Sequence, residues 1–124
     1  MAERLEIAVE DRQADAGPVV FIRVTGEVDL ANADQLADAL RGDGVRDAAG
    51  VVLDLRGVPF MDSSGLRVLL MAVKEPAPVV TVIAPDSPVA RLLELAEVTD
   101  RVPAYTDEEK AIDGITASGS RRDG

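Results

Sequence analysis

The run Val51-Val-Leu-Asp-Leu55 is apolar at every position but one. A strand that apolar has to be covered on both of its faces, which places it inside a parallel or mixed sheet flanked by helices. The chain then passes through Gly57 and Pro59, and Asp62-Ser63-Ser64-Gly65 opens a second apolar stretch with helical spacing, Leu66, Leu69, Leu70 and Val73. Strand, turn and helix in that order make a βα unit. They also put two serine hydroxyls where a helix exposes unpaired backbone N–H groups and the positive end of its dipole. Two readings of those serines stand side by side. A serine there is a common N-cap with a purely stabilising role. The same terminus also tolerates an anion, including a phosphate esterified to one of its own serines, which makes Ser63 or Ser64 a candidate switch.

The rest of the chain supplies the neighbours such a strand requires. Leu5, Ile7 and Val9 alternate with polar or small residues, as in a half-buried strand, and Asp11 to Pro18 reads as a polar loop. Val19 to Thr25 is a second strand, closed by Gly26-Glu27-Val28-Asp29. Ala33, Leu36, Ala37 and Leu40 share one helical face, with Asn32 as its expected cap. Val79 to Ile83 is a further apolar strand. Ser87-Pro88 carries a cap and a first-turn proline for a helix whose apolar face is Val89, Leu92, Leu93 and Ala96. Val102-Pro103-Ala104 has room only for a short edge strand. Thr106 to Glu109 matches a capping box before Ala111, Ile112 and Ile115, and the chain reads as frayed from Ala117 on.

Two strands followed by helices alternating with strands predict an α/β single domain, a mixed sheet of four to five strands with about four helices packed on it. The expected limits are 1–116 for the domain and 117–124 for a flexible tail. Sites in such sheets gather beyond the carboxyl ends of the strands, which places Asp62 to Gly65 on that rim. The strand pattern leaves open whether Gly26 to Asp29 shares it.

Composition removes several chemistries. There is no cysteine and no histidine, so disulfides, thiolate catalysis, Ser-His-Asp catalysis and the commonest metal ligand are excluded. Net charge is −10 and only Phe21, Phe60 and Tyr105 are aromatic, which disfavours nucleic acid. The longest uncharged run, Pro76 to Pro85, falls well short of the roughly 20 residues a membrane span needs. The acidic start lacks the apolar centre of a signal peptide, so cytoplasmic residence is expected. Neither serine follows a glycine at the spacing of a nucleophile elbow, and no phosphate-binding glycine loop occurs. Glu27, Asp29, Asp54 and Asp62 could approach an oxygen-loving cation, but their spacing fits no known loop, and neither a metal nor a cofactor is expected. Arg56 and Arg67, on either side of the serines, could pair with Asp62 or with a phosphate, but as exposed charges they are expected to contribute little. Phe60-Met61 reads as a core anchor.

Three blocks carry a resemblance to the STAS domain, and within it to the bacterial anti-sigma-factor antagonists. Gly26-Glu27-Val28-Asp29 resembles the family's Gly-Glu-Leu-Asp turn. The strand from Val51 followed by Phe60-Met-Asp-Ser-Ser-Gly-Leu66 resembles its central strand and phosphorylation loop. Val89-Ala-Arg-Leu-Leu-Glu-Leu95 resembles its third-helix segment. The resemblance implies a regulatory binding module and not an enzyme. In its unphosphorylated form such a module binds an anti-sigma factor, usually a serine kinase, and so frees a sigma factor. Phosphorylation ends the binding, and a metal-dependent serine phosphatase restores it. The phosphorylated position maps to Ser63, with Ser64 as second choice. The expected partner surface comprises Asp29, Asp62, Ser63, Ser64 and Gly65. The alternatives are a STAS accessory domain that scaffolds a transporter or signalling complex without phosphorylation, and a small carboxylate-dependent hydrolase. Two departures from the family pattern stand out: Lys74-Glu-Pro-Ala-Pro78 replaces a longer helix end and a Gly-Gly turn, and Ala96-Glu97-Val98 replaces a glycine turn. Oligomeric state is left open by the sequence.

Overall fold

The structure is a computed structural model that describes residues 4–123, with side chains described for all of these except 43 and 118–123. Five strands lie in sequence order: β1 (Glu6–Ala14), β2 (Gly17–Thr25), β3 (Gly50–Gly57), β4 (Val79–Val82) and β5 (Ala104–Tyr105). β1 is antiparallel to β2, and every later pairing is parallel. The helices are α1 (Ala33–Leu40), the single turn α2 (Asp43–Arg46), α3 (Ser63–Ala72), α4 (Pro88–Leu95) and α5 (Glu108–Asp123).

Alternation along the strands sorts the core into two layers. Val20, Ile22, Val24, Val51, Leu53 and Leu55 meet Leu36, Leu69, Val89 and Leu93, so α1, α3 and α4 cover one face. Val19, Phe21, Val52, Val80 and Val82 meet Ala111 and Ile115, so α5 covers the other. Each such large aliphatic side chain removed from water stabilises the fold by about 1.5–3 kcal/mol. β3 is buried at every position from Gly50 to Leu55, as its composition requires.

The structure differs from the sequence reading in several places. Asp11 to Pro18 is no loop: β1 continues through Ala14, and Asp15-Ala16 turn the chain directly into β2, with Ala14 opposite Gly17. This stretch is polar because β1 is an edge strand that solvent reaches on much of its length. The edge strand on the far side is Ala104–Tyr105, starting two residues later than the Val102 expected. On α4, Leu92 is only partly buried and Ala96 is exposed, so the buried face is Val89, Ala90 and Leu93. The cap of α5 is Asp107, whose carboxylate accepts from the Lys110 N–H at 2.8 Å, and not Thr106. α5 itself continues past Ala117 to Asp123. Among the described residues no helix is long and apolar enough to cross a membrane.

Candidate functional site on the carboxyl rim of the sheet

Because β2 and β3 run parallel, the segments that follow them emerge on one rim, which answers the question the strand pattern left open. The two segments are also laced together. The Val28 N–H donates to the Phe60 carbonyl at 3.0 Å, the Asp62 N–H donates to the Val28 carbonyl at 3.1 Å, and Val28 and Met61 form a parallel bridge. Gly26 starts the turn with φ of +98°, and a side chain there would run into the backbone at Arg4. Only glycine fits both demands.

Asp29 and Asn32 shape the first half of the rim. The Asp29 carbonyl accepts from the Ala33 N–H at 2.8 Å and its carboxylate accepts from the Ala31 N–H at 2.9 Å. Asn32 stands at the cap position of α1 without capping it. Its side chain reaches back instead, accepting from the Asp29 N–H and donating to the Glu27 carbonyl, both at 2.9 Å. The asparagine therefore closes the Gly26–Asp29 turn, a role that competes with capping for its amide oxygen.

Asp62 caps α3: its Oδ1 accepts from the Ser64 N–H at 2.8 Å. That bond leaves neither serine needed as a cap. Ser63, the first helical residue, is exposed, and its hydroxyl has no hydrogen-bond partner among the described residues, whereas Ser64 is half-buried. Gly65, expected on the partner surface, is buried below it. A methyl group there would come within 2.5 Å of Met61 Cγ and 2.9 Å of Val28 Cγ1, so Gly65 lets α3 sit tightly on the Val28–Met61 bridge. Of the five sequence-derived candidates, Asp29, Asp62, Ser63 and Ser64 thus share a surface, and Gly65 supports it.

Two side chains that belong to this surface escaped the sequence reading. Phe60, read together with Met61 as core, is 47% exposed while Met61 is buried. Leu30 is 81% exposed and lines a groove of about 370 Å3 between α1 and α3 together with Ser63, Ser64 and Arg67. The signal for Phe60 was present: neighbours in an extended segment point to opposite sides, so Phe60 and Met61 could not both face inward. Leu30 lies in a turn, where periodicity says nothing.

Arg56 also departs from expectation. It does not idle in solvent but grips Asp54 with Nε and a terminal nitrogen at 3.0 and 2.9 Å, and reaches Glu108 at 2.8 Å. Arg23 adds a 3.2 Å bond to Asp54, and Arg12 bonds Glu108 at 2.9 Å while stacking on Phe21. Burial raises the Asp54 pKa, but bonds from the Arg56 side chain, the Arg56 backbone and Arg23 outweigh it and leave it below the usual carboxylate range. Glu108 is lowered chiefly by the bond from Arg12, then by Arg56. The network lies beneath the rim on the α5 face and fastens the first turn of α5 to β1, β2 and β3. It removes Asp54 from any acidic cluster, and among the described residues no group of three or more candidate metal ligands gathers.

The geometry thus offers an unengaged hydroxyl on a helix start, held in place by backbone bonds and flanked by exposed apolar side chains. The sequence is 31% identical over 101 residues to an anti-sigma F factor antagonist of Paenibacillus polymyxa, an alignment spanning 76% of this chain and 84% of that protein. The fold matches the crystal structure of an anti-sigma factor antagonist from Mycobacterium paratuberculosis with a TM-score of 0.74 at 22% identity, covering 90% of this chain and 95% of that one. It matches the anti-sigma factor antagonist SpoIIAA in its unphosphorylated form with a TM-score of 0.65 at 19% identity, covering 89% and 97%. The STAS domain profile matches residues 11–111, most of the sheet and four of its helices, and the chain belongs to the STAS domain family.

Proposed function

We propose that this protein is an anti-sigma-factor antagonist switched at Ser63. In its unmodified form it binds an anti-sigma factor that is also a serine kinase, and the sigma factor held by that kinase is released. The kinase then transfers the γ-phosphoryl group of ATP to the Ser63 Oγ: the new O–P bond forms, the bond to the ADP leaving group breaks, and the hydroxyl proton passes to a base on the kinase. The modified protein lets go, and a metal-dependent serine phosphatase returns it to the binding form by hydrolysis. The protein itself performs no catalysis in this cycle. Asp29, Asp62, Ser63 and Ser64 form the docking surface, and Leu30 and Phe60 supply its apolar contact.

One observation carries this reading above all: the Ser63 hydroxyl is exposed and unengaged, because Asp62 has taken over the capping that a serine would otherwise perform. Magnitudes favour a blocked interface over a disturbed fold. A phosphate adds about −1.5 to −2 charges, and a helix start stabilises a nearby anion by roughly 0.3–1 kcal/mol, so the domain tolerates it. Against a carboxylate about 4 Å away across an interface, a single unit charge is repelled by roughly 4 kcal/mol at an effective dielectric near 20. A hundredfold loss of affinity requires only about 2.8 kcal/mol.

The test is incubation with ATP and the cognate anti-sigma-factor kinase, followed by mapping of the modified residue by mass spectrometry. One phosphate is expected on wild type and on Ser64→Ala, and none on Ser63→Ala. Phosphate retained on Ser63→Ala and missing from Ser64→Ala would move the switch to Ser64. No phosphate on wild type would favour the passive scaffold.

A further inference from the structure

Arg67 stands one helical turn after Ser63 on the same face of α3, the spacing at which side chains of a helix meet. Both open on the groove between α1 and α3. Arg67 is exposed and has no ion-pair partner among the described residues. This sets it apart from Arg12, Arg23 and Arg56, which are committed to Asp54 and Glu108. The other charged side chains lining the groove are Asp34 from α1 and Arg41 just after it, and Arg41 makes only a loose 4.0 Å contact with exposed Asp38. Asp62, at the start of α3, is engaged by the Ser64 N–H.

We infer that Arg67 is the intramolecular receiver of the Ser63 phosphate, so that modification both adds a dianion to the surface and withdraws this arginine from it. The inference rests on the Ser63 reading above and names how that same site is regulated. Two charges steer the phosphate. Asp34 repels it from the α1 side of the groove, and Arg67 attracts it along α3, with the anion N-terminal to the cation, the more favourable order on a helix. A planar guanidinium takes two phosphate oxygens at once, whereas an ammonium offers a point charge. Before modification Arg67 is open to a partner carboxylate; afterwards it is occupied. Arg67 is therefore a positioning residue for the phosphate.

The test uses full-length protein carrying phosphoserine installed at position 63 by chemical or genetic means, so it does not depend on which kinase, if any, performs the modification. The phosphorus NMR shift is followed against pH. Free phosphoserine loses its second proton near pH 6. In the wild-type background the transition is expected about half a pH unit lower than in Arg67→Gln, with Arg67→Lys in between. Arg41→Gln should shift it by less than Arg67→Gln, since Arg41 lies just past the far end of α1. The unmodified variants should melt with wild type, which excludes a folding defect as the cause. Identical transitions in wild type and Arg67→Gln would overturn the inference while leaving phosphorylation at Ser63 intact. Failure of the kinase to modify Ser63, with the NMR difference present, would instead sink the functional reading and spare the charge pair.

Discussion

Around Ser63 each neighbour has a distinct physical duty, and the duties separate cleanly enough to be tested one at a time. Asp62 satisfies an orphan N–H of α3, so Asp62→Ala should destabilise the protein by about 1 kcal/mol, read as a lower midpoint in urea with an unchanged slope. An equal midpoint would mean that Ser63 or Ser64 takes over as cap, and the hydroxyl would then no longer be free. Gly65 has a different duty. Gly65→Ala has to displace buried Met61 or lift α3 from Val28, and a cost of about 1–3 kcal/mol is expected. The Asp-Ser-Ser-Gly run marked this corner as a helix start in the sequence, but the reading offered a serine as the cap and placed Gly65 on the partner surface, whereas Asp62 caps the helix and Gly65 packs beneath it. The duties of Asn32 and Phe60 were harder to read. An asparagine before a helix offers the same oxygen to a cap and to a turn, and here the Asp29 N–H takes it while the Glu27 carbonyl holds the amide nitrogen.

At the scale of elements, α4 shows how a departure from the family pattern is absorbed. The Val98 N–H returns to the Leu93 carbonyl at 3.2 Å, closing the helix, and Glu97 sits between them with φ of +57°. A glycine would make such a turn without strain; here a glutamate adopts a left-handed conformation that costs a non-glycine residue about 1–2 kcal/mol. Glycine's greater freedom in the unfolded chain returns about 0.4–1 kcal/mol of that. Glu97→Gly should therefore raise the melting temperature by a few degrees, and a lower value would contradict the strain assignment. Helices α1, α3, α4 and α5 were legible because each presents one apolar face at regular spacing and several carry capping residues, whereas the single turn α2, set among glycines, was not. β1 was not. Its polar second half lies on a sheet edge, where solvent supplies no alternation to detect, and a two-residue turn at Asp15-Ala16 lacks the glycine or asparagine that would announce it.

For the whole molecule, two faces of one sheet divide the labour. The α1–α3 face carries the exposed Ser63 hydroxyl, and the α5 face carries the ion network that anchors the last helix. Asp54 and Glu108 both have folded-state pKa values below their unfolded ones. Their contribution is present above the unfolded carboxylate range near pH 4 and is lost as pH falls through the lowered folded values. Urea midpoints should therefore drop more steeply below pH 4 for wild type than for Asp54→Asn, which has less to lose. Parallel acid profiles would show the network to be stabilisation-neutral. This network was invisible to sequence reasoning because its members come from β1, β2, β3 and α5 and meet only through the topology. The sheet itself was readable, since a strand as apolar as β3 admits no arrangement in which either face is bare. The central claim is that one esterified hydroxyl expels a partner without disturbing this framework. It is tested most directly by calorimetric titration of wild type, Ser63→Ala and Ser63→Asp against the cognate anti-sigma factor, alongside their melting curves. The account predicts equal melting temperatures, tight binding by wild type and Ser63→Ala, and an affinity at least tenfold weaker for Ser63→Asp. Equal affinity for wild type and Ser63→Asp, or a Ser63→Asp protein that unfolds instead of merely failing to bind, would contradict it.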